Sequence, residues 1–259
     1  MKLSIIIPVF NSSKTLDLLN HEIFKVVSKI DLKNDFELIF VNDNSKDDSW
    51  KKIKKLKKDF SYIKAINLSE NFGQHNAIFA GFSFCSGKKV ITLDDDLQHS
   101  PKFFPEILET LDKHEVCYTY YKNRKHKFWK KVVSDINNFV SSSLLNKPIN
   151  IYMSSFRGIR KNIIKKIITY KKPDIYLDGI IINSTKNIGM ISVDHYARKF
   201  GESNYDLKRL LKLWSDMVLN FSFYPIRFGS FFGILLKFLV KIFRKKNTMP
   251  QFEIKEFLK

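Results

Sequence analysis

Three consecutive carboxylates, Asp94-Asp95-Asp96, stand at the end of the short apolar run Val90 to Leu93. That run is rich in β-branched residues and reads as a buried strand. Adjacent Asp side chains repel one another, and Asp disfavours a strand interior, so the cluster calls for a cation. A hard divalent ion with oxygen ligands, Mg2+ or Mn2+, relieves the repulsion. Mg2+ takes one or two protein carboxylates and completes its shell with water and substrate phosphates. Asp94-x-Asp96 at a strand end therefore reads as a metal–diphosphate site. On these residues alone the alternative is a solvated acidic turn.

The elements that must position this cluster follow from periodicity. Leu3 to Phe10 is a continuous apolar run, as a parallel strand covered on both faces requires. Asn11-Ser12-Ser13 caps a helix carrying Leu16, Leu19, Ile23, Val26, Val27 and Ile30 at helical spacing. A strand over Phe36 to Val41 ends in Asn42-Asp43-Asn44, and the next helix aligns Trp50, Ile53, Leu56 and Phe60. Its six lysines between Lys51 and Lys58 read as a solvated face. A third strand covers Tyr62 to Leu68, followed by a helix through Ala77 to Phe84. Beyond Pro101 come a helix to Lys113, a strand over Val116 to Tyr121, a further strand over Ile151 to Ile159, and a short element opening at Asp178-Gly179. Ser192 to Tyr205 reads as a mobile loop and Leu207 to Phe223 as helical. Strand and helix alternating at this spacing predict a doubly wound, mostly parallel α/β sheet. In such sheets ligands sit at the carboxyl ends of the strands, where Asn11, Asp43 and Asp94 to Asp96 all fall. A Gly-x-Gly-x-x-Gly fingerprint and a Walker loop are both absent from the sequence, which disfavours dinucleotide and P-loop chemistry.

The 259 residues carry a net charge of +19 and are 44% hydrophobic, which suits a globular protein with acidic partners: phosphorylated substrates, an anionic membrane face or nucleic acid. Cys85 and Cys117 lack metal-ligand spacing and read as reduced thiols of a cytosolic protein. The N-terminus shows no signal-peptide pattern. The apolar stretch Phe228 to Phe243, interrupted by Lys237 and Lys241, is too short and too charged for a membrane span. With Arg244 and Lys245 it reads as an interfacial amphipathic helix, or as a helix packed on the domain or on another subunit. The basic segment Lys122 to Lys131, with Phe128 and Trp129, lies in no recognised nucleic-acid module, so nucleic acid is not an expected partner.

Four segments, SIIIPVFN, ELIFVNDNSKDDS, LSENFGQHNAIFAGF and ITLDDDLQHSP, resemble glycosyltransferase family 2 with its GT-A fold: one Rossmann-like, mostly parallel sheet flanked by helices, here with C-terminal amphipathic helices. DDDLQHSP, MSSFRGIRK and HYARKFGESNYDLKRLLKLWSDMVLNFS resemble its polyprenyl-phosphate branch. The likeness covers roughly Leu3 to Arg227 and implies a catalytic domain over 1–226; the apolar and basic residues that follow read as a membrane-associating tail over 227–259. The likeness also implies that Asp94, Asp96 and Gln98 form the metal and diphosphate end of the donor site, with Asp95 beside them. Pro8, Phe10 and Asn11 would line the nucleotide pocket, and Asp43 would accept hydrogen bonds from the base or ribose. Arg198, with Lys199 and Ser203, would meet the diphosphate, and Lys122, Arg124 and Arg157 would face the acceptor phosphate. Two positions depart from the pattern: Ser155 stands where an acidic residue often precedes the Phe-Arg pair, and Asp135 where an Arg often follows the Ser of the basic helix.

The expected reaction is an inverting displacement at the anomeric carbon of a nucleotide sugar, helped by Mg2+ or Mn2+ at Asp94 and Asp96 and by Arg198. A phosphate acceptor is already mostly dianionic at neutral pH and suits the basic acceptor side. A glycan hydroxyl, the alternative acceptor, asks for a general base. Asp178 is the candidate base or acceptor-positioning group, with a helix N-cap as its structural alternative. The expected setting is the inner face of the cell membrane, with a nucleotide-sugar donor, a polyprenyl-phosphate acceptor and the anionic lipid surface as partners. The oligomeric state is left open, a homo-oligomer included. A non-catalytic anion or nucleic-acid binder is the third reading.

Overall fold

The computed structural model describes residues 1–121, 148, 151–172, 175–194 and 250–259. At its centre lies β1 (Leu3–Val9), every residue of which is buried. The two faces of this strand serve different layers: Leu3, Ile5, Ile7 and Val9 enter one apolar cluster and Ile6 the other, the period-2 alternation of a strand covered on both sides. α1 (Leu16–Lys29), α2 (Ser49–Asp59) and α4 (Phe104–Lys113) cover the first face. α3 (Gln74–Phe84), α5 (Lys161–Ile167) and α6 (Leu177–Ser184) cover the second.

The remaining strands are β2 (Phe36–Asn42), β3 (Ile63–Leu68), β4 (Lys89–Thr92), β5 (Val116–Tyr121), β6 (Arg157–Arg160), β7 (Ile188–Val193) and β8 (Ile254–Leu258). They form a single sheet of eight strands in the order β7-β5-β6-β4-β1-β2-β3-β8. β2, β3 and β4 run parallel to β1, and β7 runs parallel to β5. β6 is antiparallel to both β4 and β5, and β8 is antiparallel to β3. The mostly parallel α/β sheet expected of the sequence is thus present, with two reversed strands.

The chain winds outward from β1 through β2 to β3, then crosses back to place β4 on the other side of β1. That reversal sets a topological switch point between the carboxyl ends of β1 and β4, where ligands of such sheets bind. Pro8 fits there for a backbone reason. Val9 O accepts from Asp43 N at 2.9 Å and Ile6 O from Leu93 N at 3.3 Å, so Pro8 faces the β4 side. Its pairing with β4 ends at Ile6 and Thr92, and the missing N–H of Pro8 leaves no ladder bond broken.

Three segments differ from expectation. Of the Ile151 to Ile159 run only the last three residues are strand, at the start of β6. Ahead of it, Thr92 Oγ1 donates to Ser155 O at 2.6 Å and Phe156 N to Ser154 Oγ at 3.2 Å, so side chains occupy backbone groups a ladder would use. The loop expected from Ser192 begins later, because β7 runs to Val193. Within the expected tail, residues 254–258 are a strand at the edge of the sheet beside β3, so the sheet takes in residues from beyond 226. Among the described residues no helix is long and apolar enough to cross a membrane. The amphipathic stretch from Phe228 to Phe243 lies outside the described residues.

Candidate active site

The strand-end carboxylates do not act as one group. Asp94 is held on both oxygens: Gln74 Nε2 donates to Oδ1 at 2.6 Å and Ser155 Oγ to Oδ2 at 2.7 Å. Asp96 Oδ1 accepts from Gln98 N at 3.0 Å, closing a tight turn in which Leu97 adopts a left-handed φ of 62°. Asp95 turns back toward β1, where its Oδ2 accepts from Phe10 N at 3.1 Å and its carboxylate also takes the Ser12 hydroxyl. Burial pushes the Asp95 carboxyl up to about 7; the hydrogen bonds from Ser12 and Phe10 oppose the shift, and the neighbouring charges of Asp94 and Asp96 add to it. Asp95 therefore fastens the end of β4 to the end of β1, while Asp94 and Asp96 stay at the strand end, Asp94 gripped by Gln74 and Ser155.

The loops after β1 and β2 are laced together. Asn11, at a left-handed φ of 55°, donates its N–H to Ser45 Oγ at 3.0 Å and accepts from Lys46 N at 2.8 Å. Ser12 N donates to Ser49 Oγ and Ser13 N to Asp47 Oδ2. Asn tolerates this backbone because its short polar side chain bonds locally. Phe10, next to Asn11, is 45% exposed, leaving its aromatic ring open to solvent. Asp43 is buried. Its Oδ1 accepts from Phe72 N at 2.7 Å and its Oδ2 from Gly73 N at 2.8 Å, and burial still raises its carboxyl above the usual range against those two bonds. Its oxygens are thus engaged by the loop after β3, and the structure shows it organising that loop.

On the far side of β4, Arg157 is only 1% exposed. Its guanidinium forms an ion pair with Asp178 Oδ1, the same oxygen that takes the Tyr118 hydroxyl at 2.8 Å, and it lies 5.5 Å from the Tyr118 ring centroid. The structure places Arg157 beneath the site, paired, instead of on an open acceptor face. Asp178 is not a helix N-cap: Tyr176 holds that position in α6 and Asp178 lies in the first turn, its carboxylate directed to Arg157. Sequence reasoning left three contributors unassigned. Gln74 and Ser155 hold Asp94, and buried His99 links the turn to β5 through Tyr121 Oη, 2.7 Å from its Nε2. Gln74 and His99 lie inside segments already distinctive in sequence; their partners are apparent only in space. Lys122, Arg124, Arg198, Lys199 and Ser203 lie outside the described residues.

The donor set can hold a cation. Asp94 and Asp96 offer hard oxygens, and among the described residues no three His, Cys, Asp or Glu gather as a closed metal cage. Two carboxylates suit an ion that completes its shell with water and phosphate oxygens.

A reversed-order α/β sheet with a carboxylate pair at its switch point defines the GT-A class of transferase folds. The chain belongs to glycosyl transferase family 2, whose sequence model matches residues 4–168, and it is a glycosyltransferase. It is 32% identical over 241 residues to the undecaprenyl-phosphate 4-deoxy-4-formamido-L-arabinose transferase of Enterobacter sp. (strain 638), covering 92% of this chain and 73% of that one. The enzyme of the same name from Yersinia pestis (strain Pestoides F) is 31% identical over 240 residues, with the same coverage of both chains. In fold, the chain is similar to glucosyl-3-phosphoglycerate synthase of Mycobacterium tuberculosis crystallised with Mn2+, UDP and glucosyl-3-phosphoglycerate. The TM-score is 0.61 at 15% identity, over 84% of this chain and 78% of that one. The same enzyme crystallised with Mg2+ and UDP gives a TM-score of 0.60.

Proposed function

We propose that this protein transfers a sugar from a nucleoside-diphosphate donor to the phosphate of a polyprenyl lipid, inverting the anomeric configuration. The observation that carries the reading is the likeness to undecaprenyl-phosphate sugar transferases along 92% of the chain, joined to the Asp94 and Asp96 pair at the switch point. Asp94 and Asp96 would hold Mg2+ or Mn2+, which when bound neutralises charge on the departing nucleoside diphosphate. Gln74 and Ser155 fix the Asp94 carboxylate in advance, and Asp95 and Asn11 fix the loops around it. Phe10, Asn11 and Asp43 are the proposed nucleotide side, and Gln98 a further oxygen donor beside the cation.

The acceptor side supports a phosphate nucleophile. A phosphate monoester has its second pKa at about 6 and needs no base at neutral pH. Asp178, the carboxylate proposed as base, already forms the ion pair with Arg157, so we assign it to positioning. β5 ends at Tyr121, directly before Lys122, at the same carboxyl edge of the sheet as Asp94. That edge supports the proposed acceptor roles of Lys122 and Arg124, which follow β5 in sequence. β7 likewise ends there at Val193, ahead of Arg198, the proposed diphosphate contact, with Lys199 and Ser203. We assign the protein to the inner, anionic face of the membrane. Incubation with labelled nucleotide sugars, Mn2+ and undecaprenyl phosphate is expected to yield a chloroform-extractable labelled product. Label appearing only on a glycan acceptor, with none in the lipid phase, would reject the lipid-phosphate reading.

A further inference from the structure

The last described residues sit against the donor side of the site, and their contacts converge on one loop. β8 pairs antiparallel with β3, Ala65 opposite Leu258 and Leu68 opposite Ile254, with a register shift between Asn67 and Leu68. Such a bulge bends the strand end where β3 passes into the loop 69–73. From there the bonds continue. Ser69 N donates to Glu253 O at 2.9 Å and Ser69 Oγ to Glu253 Oε2 at 3.1 Å. Asn76 Nδ2, in the first turn of α3, donates to Gln251 O. Gln251 Nε2 in turn donates to Tyr170 O at 2.7 Å and Lys172 O at 2.9 Å. Phe252 packs 6.2 Å from the Phe79 ring of the same helix.

That loop and helix start carry the groups that hold two acidic residues of the site. Phe72 N and Gly73 N grip Asp43, and Gln74 Nε2 grips Asp94 Oδ1. Gly73 has a φ of +88°, a backbone open to glycine and costly for other residues. It aims consecutive N–H groups at one carboxylate. A loop in this strained form persists where its surroundings hold it. Here the surroundings are residues 251–254 on one side and β2 on the other.

We infer that Gln251 to Ile254 form a positioning strap for the donor site, acting through loop 69–73 and the start of α3 on Asp43 and Asp94. The inference rests on the donor-site reading for its functional consequence and on the contacts above for its structural one. Those hydrogen bonds of the strap go to Ser69, Asn76, Tyr170 and Lys172 and not to Asp43 or Asp94 themselves.

The test compares the full-length protein with Asn76→Ala/Gln251→Ala by amide hydrogen exchange and by calorimetric titration of UDP in the presence of Mn2+. Each lost hydrogen bond is expected to raise local opening by about two- to tenfold. Exchange at the Phe72 and Gly73 amides should therefore quicken by about tenfold, while the β1 amides keep their rates. UDP affinity should fall by about tenfold, and in turnover the donor KM should rise with kcat little changed. Glu253→Ala should act in the same direction, and Glu253→Gln, which still accepts from Ser69, should restore wild-type exchange. Unchanged exchange in the loop, or equal acceleration throughout the sheet, would overturn the strap. Failure of the wild-type protein to bind UDP would count against the donor reading, and the exchange arm would then decide the strap alone.

Discussion

At the scale of single residues, three adjacent aspartates have separate tasks. Asp94 and Asp96 are the proposed metal pair, and Asp95 ties β4 to β1 through Phe10 N. Asp94→Asn and Asp96→Asn are each expected to lower turnover by about 10²–10³-fold, the usual effect of removing a preorganised electrostatic group, and to raise the Mn2+ concentration needed for half-maximal rate. Asp95→Asn keeps a side-chain carbonyl for Phe10 N and should lower turnover far less. Steady-state kinetics over a Mn2+ series separates the three. A different physics governs Arg157 and Asp178. Removing one partner strands a buried charge, so Asp178→Asn should destabilise the protein by about 3–5 kcal/mol in urea unfolding. Arg157→Met/Asp178→Leu should recover most of that loss, because an apolar pair of similar volume carries no desolvation penalty.

At the scale of elements, packing between β6 and α4 sets a tolerance limit. A Cβ on Gly158 would come within 2.4 Å of Ile107 Cγ2 and 2.9 Å of Leu111 Cδ1, two buried α4 side chains. Gly158→Ala should cost about 1–3 kcal/mol as an overpacked core does, read from the urea midpoint. The elements that periodicity revealed are those with unbroken patterns. α1 buries Leu16, Leu19, Ile23 and Val27, all in the apolar series of the sequence, and β1 and β2 are buried along their whole length. Elements that went unread are short or depend on remote partners. α5 has seven residues, and β8 exists because β3 offers it an edge. The expected strand near Ile151 shrank because Ser154, Thr92 and Ser155 hydrogen-bond where a ladder was forecast.

At the scale of the whole molecule, charge couples to stability and to surface binding. Glu37 is buried at the amino end of β2, near Ser4, Ser86 and Lys64. Burial alone would raise its carboxyl, but the Lys64 ammonium at 2.6 Å and the bonds from Ser4 and Ser86 outweigh it and hold the group below its usual value of 4.5. A carboxyl depressed on folding stabilises the protein above its unfolded pKa and loses that contribution as pH falls through its folded one. Stability should thus decline as pH drops below about 4.5, and Glu37→Gln should flatten that decline, as followed by thermal melts across pH. The net charge of +19 bears on the proposed membrane face. Vesicles rich in phosphatidylglycerol should retain the protein at low salt and release it near 1 M salt, where screening shortens to about 3 Å. Retention unaffected by salt would assign the attachment to apolar contact instead.

The sequence by itself determined the layered α/β architecture, the strand-end location of Asn11, Asp43 and Asp94 to Asp96, and the family. Those properties are written in local periodicity and in motifs a few residues long, which need no knowledge of what lies across the sheet. Tertiary structure alone decided the division of labour. Gln74 and Ser155, 20 and 61 residues from Asp94, fix that carboxylate; Asp95 turns to β1; Arg157 pairs with Asp178 instead of facing an acceptor; and residues 254–258 close the sheet beside β3. Each of these depends on hydrogen bonds or charge pairs between segments remote in sequence, whose partners are chosen by the packing of the sheet and not by the residues next to them.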